Sequence, residues 1–424
     1  MGGRSVIAYA PGRPIRDEEL RERLAEALVQ LDVRGKRVLV IVPDDTRTLP
    51  MPVVFETIAA TLSPRARSLS FLIALGTHPP LTEEALARHL GPRWRGFPRV
   101  EILQHRWNDP AALVKVGTIT PEEMAKISGG LLHEEAPIRV NRAVLEHDFA
   151  LLVGPVFPHE VVGFSGGHKY LFPGVSGPEM LHASHWLGAL ITNPKVIGHR
   201  DTPVRALIER AASAIPTPRA GLSLVMRGHD LLGLFAGEVR EAWGEATALS
   251  AEANIVWAGR SFHTVLSMAP PMYRELWTAG KCMYKLEPVV EDGGTLIIYA
   301  PDLREVSTTH GKWLTEVGYH TRDYFISQWK RFREVPWGVL AHSTHVKGIG
   351  TYRDGIERPR IEVALATGIS HEVCERINLA YRDPRSLDPE AYRERRDEGV
   401  LVVPKAGEML WRLKDGTVPD IDRL

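Results

Sequence analysis

Cysteine is nearly absent: Cys282 and Cys374 are the only two in 424 residues. A disulfide framework and a thiolate metal cluster are therefore excluded. No run of about 18 apolar residues occurs, so no transmembrane helix is expected. Neither sign of charge dominates, with Lys+Arg and Asp+Glu at 52 each, which argues against a nucleic-acid-wrapping surface or a charged tail. The first fifteen residues lack the apolar segment of a secretory leader, and a cytoplasmic location is the expectation. No internal repeat or low-complexity segment is found. What remains is the composition of a soluble globular protein, 44% hydrophobic and 25% charged. The chain is too long for one ordinary core, so two domains are expected.

Residues 17–31 place Leu20, Leu24, Leu28 and Leu31 on one helical face, with Asp17 as N-cap. Continuous apolar runs at 38–42, 69–75, 148–153, 221–226 and 262–268 read as strands, and helices separate them, as at 203–215 and 239–252. Thr82 opens another helix in capping-box style. Apolar strands alternating with amphipathic helices mean a largely parallel sheet covered on both faces. Such sheets bind ligands beyond the carboxyl ends of their strands, where Asp44, Asp45, Arg47 and His78 fall. After about residue 270 the pattern restarts: a helix over 273–289, a strand at 295–299, a helix over 321–332 and a strand at 337–341. The fold class is thus α/β, with two α/β domains. Residues 1–268 form the larger and 269–400 the smaller, and whether 401–424 return to the first domain is open.

The stretch 154–186 holds His159, His168, His182, His185 and Lys169 among clustered glycines and prolines. Such a loop is ordered but irregular and lets backbone approach a ligand closely. His182 and His185, three apart, share a helical face. The plain alternative, a connector with surface histidines, is disfavoured by so many ionisable groups beside the glycines. Residues 163–169 resemble a phosphate loop, but the glycine spacing fails and Tyr170 stands where Ser or Thr would hold magnesium. An ordinary P-loop NTPase is disfavoured, while a cradle of backbone amides stays open. No GxGxxG follows an early strand, which disfavours a nicotinamide dehydrogenase. On the residues alone, the His and Asp cluster supports a metal-assisted, zinc-type hydrolase with a bound water and a histidine base.

The same segments resemble the lactate racemase family of nickel-dependent 2-hydroxyacid racemases and epimerases. The likeness runs through most of the chain: Asp44-Asp45-Thr46-Arg47, GTH at 76–78, PHExxGFSGGxK at 158–169, PGxSG at 173–177 and His185, then Lys281 and Asp292-Gly293-Gly294. Its specific part is the spacing of His159, Lys169 ten residues on, and His185 sixteen further. The resemblance implies a nickel-pincer nucleotide, a nickel-bound pyridinium-3-thioamide-5-thiocarboxylic acid mononucleotide. By that likeness Lys169 attaches the cofactor covalently and His185 is the nickel ligand. His78 and His159 are the paired acid/base residues. Arg47 holds the substrate carboxylate, with Lys281 and Thr278 beside it, and Asp44, Asp45, Thr46, Ser165, Gly166, Gly167 and His168 seat the nucleotide. The resemblance also implies a site in the cleft between domains, a small 2-hydroxyacid substrate, and cofactor-synthesis and nickel-insertion proteins as partners, with neither nucleic acid nor membrane involved.

The chemistry is coherent. A carbon acid next to a carboxylate is far too weak for a histidine of pKa about 6.5, whereas hydride transfer avoids the carbanion. Two histidines serve the two antipodes, each as base in one direction and acid in the other. Arginine binds two carboxylate oxygens at once and stays charged. Departures bear on substrate: Thr278 stands where lactate-specific members carry glutamine, and His168 where an arginine is expected. Polar clusters at 308–312 and 342–347, which include His310 and His345, suit a larger or more hydroxylated acid than lactate.

Overall fold

A computed structural model describes residues 6–423. The chain divides into two compact units: the first runs to Pro158 and adds 164–184 and 200–253, and the second comprises 159–163, 185–199 and 254 onward.

The first unit is built on a seven-stranded sheet. In chain order its strands are β1 (Ile7–Tyr9), β2 (Arg37–Pro43), β3 (Ser68–Ala74), β4 (Val100–Gln104), β5 (Phe149–Pro155), β6 (Arg219–Arg227) and β7 (Asp230–Gly237), lying in the order β1-β7-β6-β5-β2-β3-β4. Strands β4, β3, β2, β5 and β6 are mutually parallel, while β7 and β1 add an antiparallel edge. Strand β2 is central because it is apolar throughout: Val38, Leu39, Val40, Ile41 and Val42 are all fully buried. Parallel strands buried on both faces need such continuous runs. Val40 lies opposite Phe71 on β3 and Leu151 on β5. Strand order reverses between β2 and β5, the switch point where open α/β sheets bind ligands.

The second unit contains β8 (Ile255–Ala258), β9 (Phe262–Met268), β10 (Val290–Ala300), β11 (Glu362–Thr367), β12 (Ala380–Arg382), β13 (Val400–Val403) and β14 (Leu410–Leu413). A five-stranded sheet has the order β12-β11-β10-β9-β13, and β8 pairs separately with β14. All these pairings are parallel. The boundary therefore falls at 253/254 rather than 268, because the 262–268 strand is the partner of β10 and β13. Residues 400–413 complete the second unit's sheets and do not return to the first. Among the described residues, no helix is long and apolar enough to cross a membrane.

Several local expectations are corrected. Residues 337–341 are not a strand but the start of the helix Trp337–Lys347. Its residues 338–346 are buried on every side, and a short apolar run reads equally as strand or buried helix. The expected 273–289 helix is divided into Leu276–Ala279, Lys281–Tyr284 and a turn at Glu287–Val289. Helix Asp17–Val29 begins one residue earlier than expected, so Asp17 is its first residue and Arg16 holds the N-cap position with no side-chain cap bond. Thr82 does cap its helix, accepting from the Ala85 amide.

Candidate active site

The sequence-selected residues fall into two groups, one in each unit. In the first unit, β2 ends at Pro43 and delivers Asp44, which is buried. Its Oδ2 lies 2.5 Å from His78 Nδ1, and its Oδ1 accepts from the Thr46 hydroxyl at 2.5 Å. Arg47 Nη1 donates to that hydroxyl at 2.8 Å. Burial alone would raise the Asp44 carboxyl, but the His78 hydrogen bond, the Arg47 charge and the Thr46 hydroxyl outweigh it and hold the group well below the usual carboxylate range. The exposed His78 ring is thus fixed at Nδ1 by a carboxylate, which leaves Nε2 as its proton-exchanging nitrogen. Asp45 is exposed.

The loop after β5 lies beside this pair. The Gly76 amide donates to the Gly174 carbonyl at 2.9 Å, and burial raises the Tyr170 hydroxyl far above its ordinary range, with opposing influences from Arg47 and Asp44. Gly154 on β5 leaves room for the Tyr170 ring, which a Cβ there would overlap. Gly166 and Gly167 have φ of +83° and +59°, and a Cβ on either would crowd Val156 or Trp243.

A buried cation, Arg205, and a half-buried one, Arg219, hold this loop. Arg205 donates to the Phe164 carbonyl at 2.5 Å and the Gly166 carbonyl at 3.3 Å, with its guanidinium 4.1 Å from the Trp243 ring centre. Burial lowers Arg205 to about 10, Glu209 partly offsetting it. Arg219 donates to His168 Nε2 at 3.1 Å, so His168 donates from Nδ1 to Glu209 at 2.7 Å. Both ring nitrogens of His168 therefore act within the protein. Ser165 is similarly occupied: its hydroxyl donates to Pro155 O and accepts from the Phe157 amide, both at 2.9 Å. The scaffold presents Lys169, half-buried, on the short turn Gly167–Tyr170.

The second unit carries His159, His185, Thr278 and Lys281. His159 Nδ1 lies 3.2 Å from the Val161 amide and 3.4 Å from Glu160 Oε2. Beside it, Glu160 is raised by burial but lowered further by His159, its own backbone amide, His345 and Lys281, ending well below the usual range. His185 lies in helix Pro178–Ile191, whose residues from 185 on belong to this unit. The Lys281 ammonium is 5.4 Å from the Tyr273 ring centre. The Thr278 hydroxyl reaches Glu275 Oε1 at 3.5 Å.

Sequence reasoning missed an aromatic stack near these residues. The Trp277 ring lies 4.0 Å from His342, parallel to it, and 4.5 Å from His310. His342 Nε2 bonds the Trp277 carbonyl at 2.9 Å, and burial drives this histidine down to about 3. Lys285 is also buried, lowered to about 8, and donates to the Glu408 carbonyl at 2.8 Å. The only sequence signal was the density of histidines in 342–345, which a strand assignment would have split between two faces. Arg205 and Glu209 carried none, since an i,i+4 pair on a helix ordinarily reads as a solvated face.

Residues 12–197 match the family model described as the lactate racemase N-terminal domain. A lactate racemase from Lactiplantibacillus plantarum is 26% identical over 280 residues, 63% of this chain and 61% of that protein. The chain thus spans about three fifths of that relative's length. A lactate racemase from Thermoanaerobacterium thermosaccharolyticum is 23% identical over 331 residues, 74% of this chain and 70% of that one. Among solved structures, a Thermotoga maritima protein superposes with a TM-score of 0.86 at 32% identity, covering 96% of this chain and all of its own. The lactate racemase apoprotein from T. thermosaccharolyticum superposes with a TM-score of 0.72 at 18% identity, covering 94% of each chain, and supports the fold.

Proposed function

We propose, from the match of residues 12–197 to the lactate racemase N-terminal domain and the likeness to lactate racemases, that the chain is an isomerase inverting C2 of a 2-hydroxycarboxylic acid with a nickel-pincer nucleotide and two acid/base histidines. The observation that carries this reading is the Asp44–His78 pair beside Arg47, at the sheet's switch point and next to the loop bearing Lys169.

The residues present fit such a group. Burial pushes the Cys282 thiol up to about 12 and Cys374 to about 11, so neither supplies a thiolate and the soft ligands must belong to the group itself. Imidazole suits nickel, and His185 would provide it. Lys169 would hold the nucleotide covalently, on a loop whose left-handed glycines bring backbone close. When bound, the group supplies a reversible acceptor for the hydride on the substrate's C2.

The chain's own residues do the rest. Arg47 takes the substrate carboxylate, with Lys281 as a second cation. His78, oriented by Asp44, exchanges the hydroxyl proton of one antipode at Nε2, and His159, fixed by the Val161 amide, exchanges that of the other. The polar and aromatic groups around Thr278, Trp277, His310 and His342 favour an acid larger or more hydroxylated than lactate. The cofactor would come from dedicated synthesis and nickel-insertion proteins. A metallohydrolase would need three protein ligands on one ion. Among the described residues, no group of three or more His, Cys, Asp or Glu side chains is disposed to hold a metal.

The test is intact mass with nickel analysis on protein co-produced with the cofactor-synthesis enzymes. A nucleotide-sized adduct with about one nickel, lost in Lys169→Ala and retained in a racemisation-dead His159→Ala, is expected. An unmodified chain carrying zinc would overturn the reading.

A further inference from the structure

The second unit contains a small cavity of about 10 Å³, bordered by Thr192, Asn193, Glu287, Arg322 and His345. Four buried polar atoms of its lining residues have no hydrogen-bond partner among the described residues: Thr192 Oγ1, Asn193 Oδ1, Glu287 Oε2 and His345 Nε2. None of the four residues is more than 4% exposed. Native proteins rarely leave even one such atom unsatisfied without a reason, and four around one space are a concentration.

The acceptor atoms of Asn193 and Glu287 are fixed by what the other atom of each group does. Asn193 Nδ2 donates to the Glu160 carbonyl at 3.3 Å, leaving Oδ1 as the second amide atom. Glu287 Oε1 accepts the Ile349 amide at 2.9 Å, leaving Oε2. Thr192 precedes the short helix Asn193–Val196 at its N-cap position, yet its side chain makes no capping bond and its φ is +86°. A β-branched residue in that region is strained.

We propose that these four side chains hold a single internal water molecule, linking the segments of the second unit that carry His159, His185 and the Trp337–Lys347 helix. The count of donors and acceptors matches. With His345 as its Nε2–H tautomer, that ring and the Thr192 hydroxyl donate to the water, and the water donates to Glu287 Oε2 and Asn193 Oδ1. Water completes four bonds in that way, and the volume admits about one molecule. A cation fits poorly. Arg322 borders the cavity, donating to the Leu190 carbonyl and Asp323, and Arg360 donates to the Glu287 carbonyl at 2.7 Å and pairs with Asp292. Arg360 thus already supplies a positive charge beside Glu287. Through the water, Asn193 and its bond to Glu160 O join the backbone beside His159 to the end of the His185 helix, and His345 joins both to the helix that stacks His342 on Trp277. Thr192, Asn193, Glu287 and His345 are positioning residues on this account.

A high-resolution crystal structure of the full chain tests the proposal directly. One density peak about 2.6–3.2 Å from all four atoms is expected. Absence of a peak, or a peak with contacts near 2.3–2.5 Å and additional oxygen ligands, which marks a cation, would overturn it. A variant pair tests it independently. His345→Gln keeps an N–H donor near the position of Nε2, whereas His345→Leu keeps apolar volume and removes the donor. The water account ranks Gln above Leu in melting temperature, with Gln within about 2 °C of the parent. A packing role ranks Leu at or above Gln, and that order would refute the proposal.

Discussion

Acid should loosen the second unit through histidines that are buried and neutral. Burial drives His345 down to about 4 and His342 to about 3, from an ordinary value near 6.5. A group whose folded pKa lies below its unfolded pKa binds more protons when unfolded, so for a histidine stability is intact above about pH 6.5 and falls with acidification until the folded pKa is reached. At about pH 5 both rings are still neutral in the fold, while the unfolded chain protonates both. The cost is then roughly 2 kcal/mol for each histidine, and about 3 kcal/mol for His345 once the pH is below its folded value. Glu160 contributes in a lower window, since its folded pKa is depressed and its stabilisation fades only below the ordinary glutamate range. The assay is equilibrium urea unfolding near pH 7.5 and pH 5, with the second unit's transition assigned by hydrogen exchange of the 337–347 peptide. The His345→Gln variant should lose roughly 2 kcal/mol less between the two pH values than the parent. A difference below about 0.5 kcal/mol would show that His345 is not held neutral and would refute the reasoning.

Asp44→Asn retains the side-chain shape but removes the charge that orients His78; turnover should fall about 100-fold or more with little change in KM, as steady-state kinetics would show. Gly154→Ala sets a Cβ against the Tyr170 ring, which should cost about 1–3 kcal/mol; pairing it with Tyr170→Ala should recover part of that loss in a double-mutant cycle. Arg205→Met strips the Phe164 and Gly166 carbonyls of their donor and should cost about 3 kcal/mol or more, read by thermal unfolding. Normal stability in that variant would mean the loop is held by other contacts.

What the sequence revealed follows from how local each signal is. The central strand announces itself because Val38 to Val42 are apolar without interruption and buried on both faces, and the residue after it can then be placed at the sheet's carboxyl edge. The Asp44, Arg47 and His78 group was legible for that reason. The glycines of 163–177 were legible as a loop because left-handed backbone leaves few other choices. By contrast, the Trp337–Lys347 helix shows no apolar stripe, since every side of it is packed, and periodicity is silent where no face meets water. The supports of the loop, Arg205 and Arg219, lie far along the chain from the carbonyls and ring they hold. Contacts of that separation leave no imprint in a local window. His168 illustrates the limit: its position beside Lys169 suggested a ligand contact, while its two nitrogens are used by Glu209 and Arg219.

The interleaving of the two units has a consequence for synthesis on the ribosome. Neither unit is a continuous stretch of chain, and segment 185–199 is completed by residues made much later: Arg412 donates to the Pro194 and Ile197 carbonyls, and Leu410 packs over Gly198. At roughly 5–20 residues per second, the 213 positions from His199 to Arg412 take about 10–40 s to emerge. For that interval the first unit's sheet can close while the segment bearing His185 waits for its last strand. A nascent chain stalled before residue 410 would thus lack the Arg412 bonds to the Pro194 and Ile197 carbonyls, so the end of this segment is completed only by the last strand to be made.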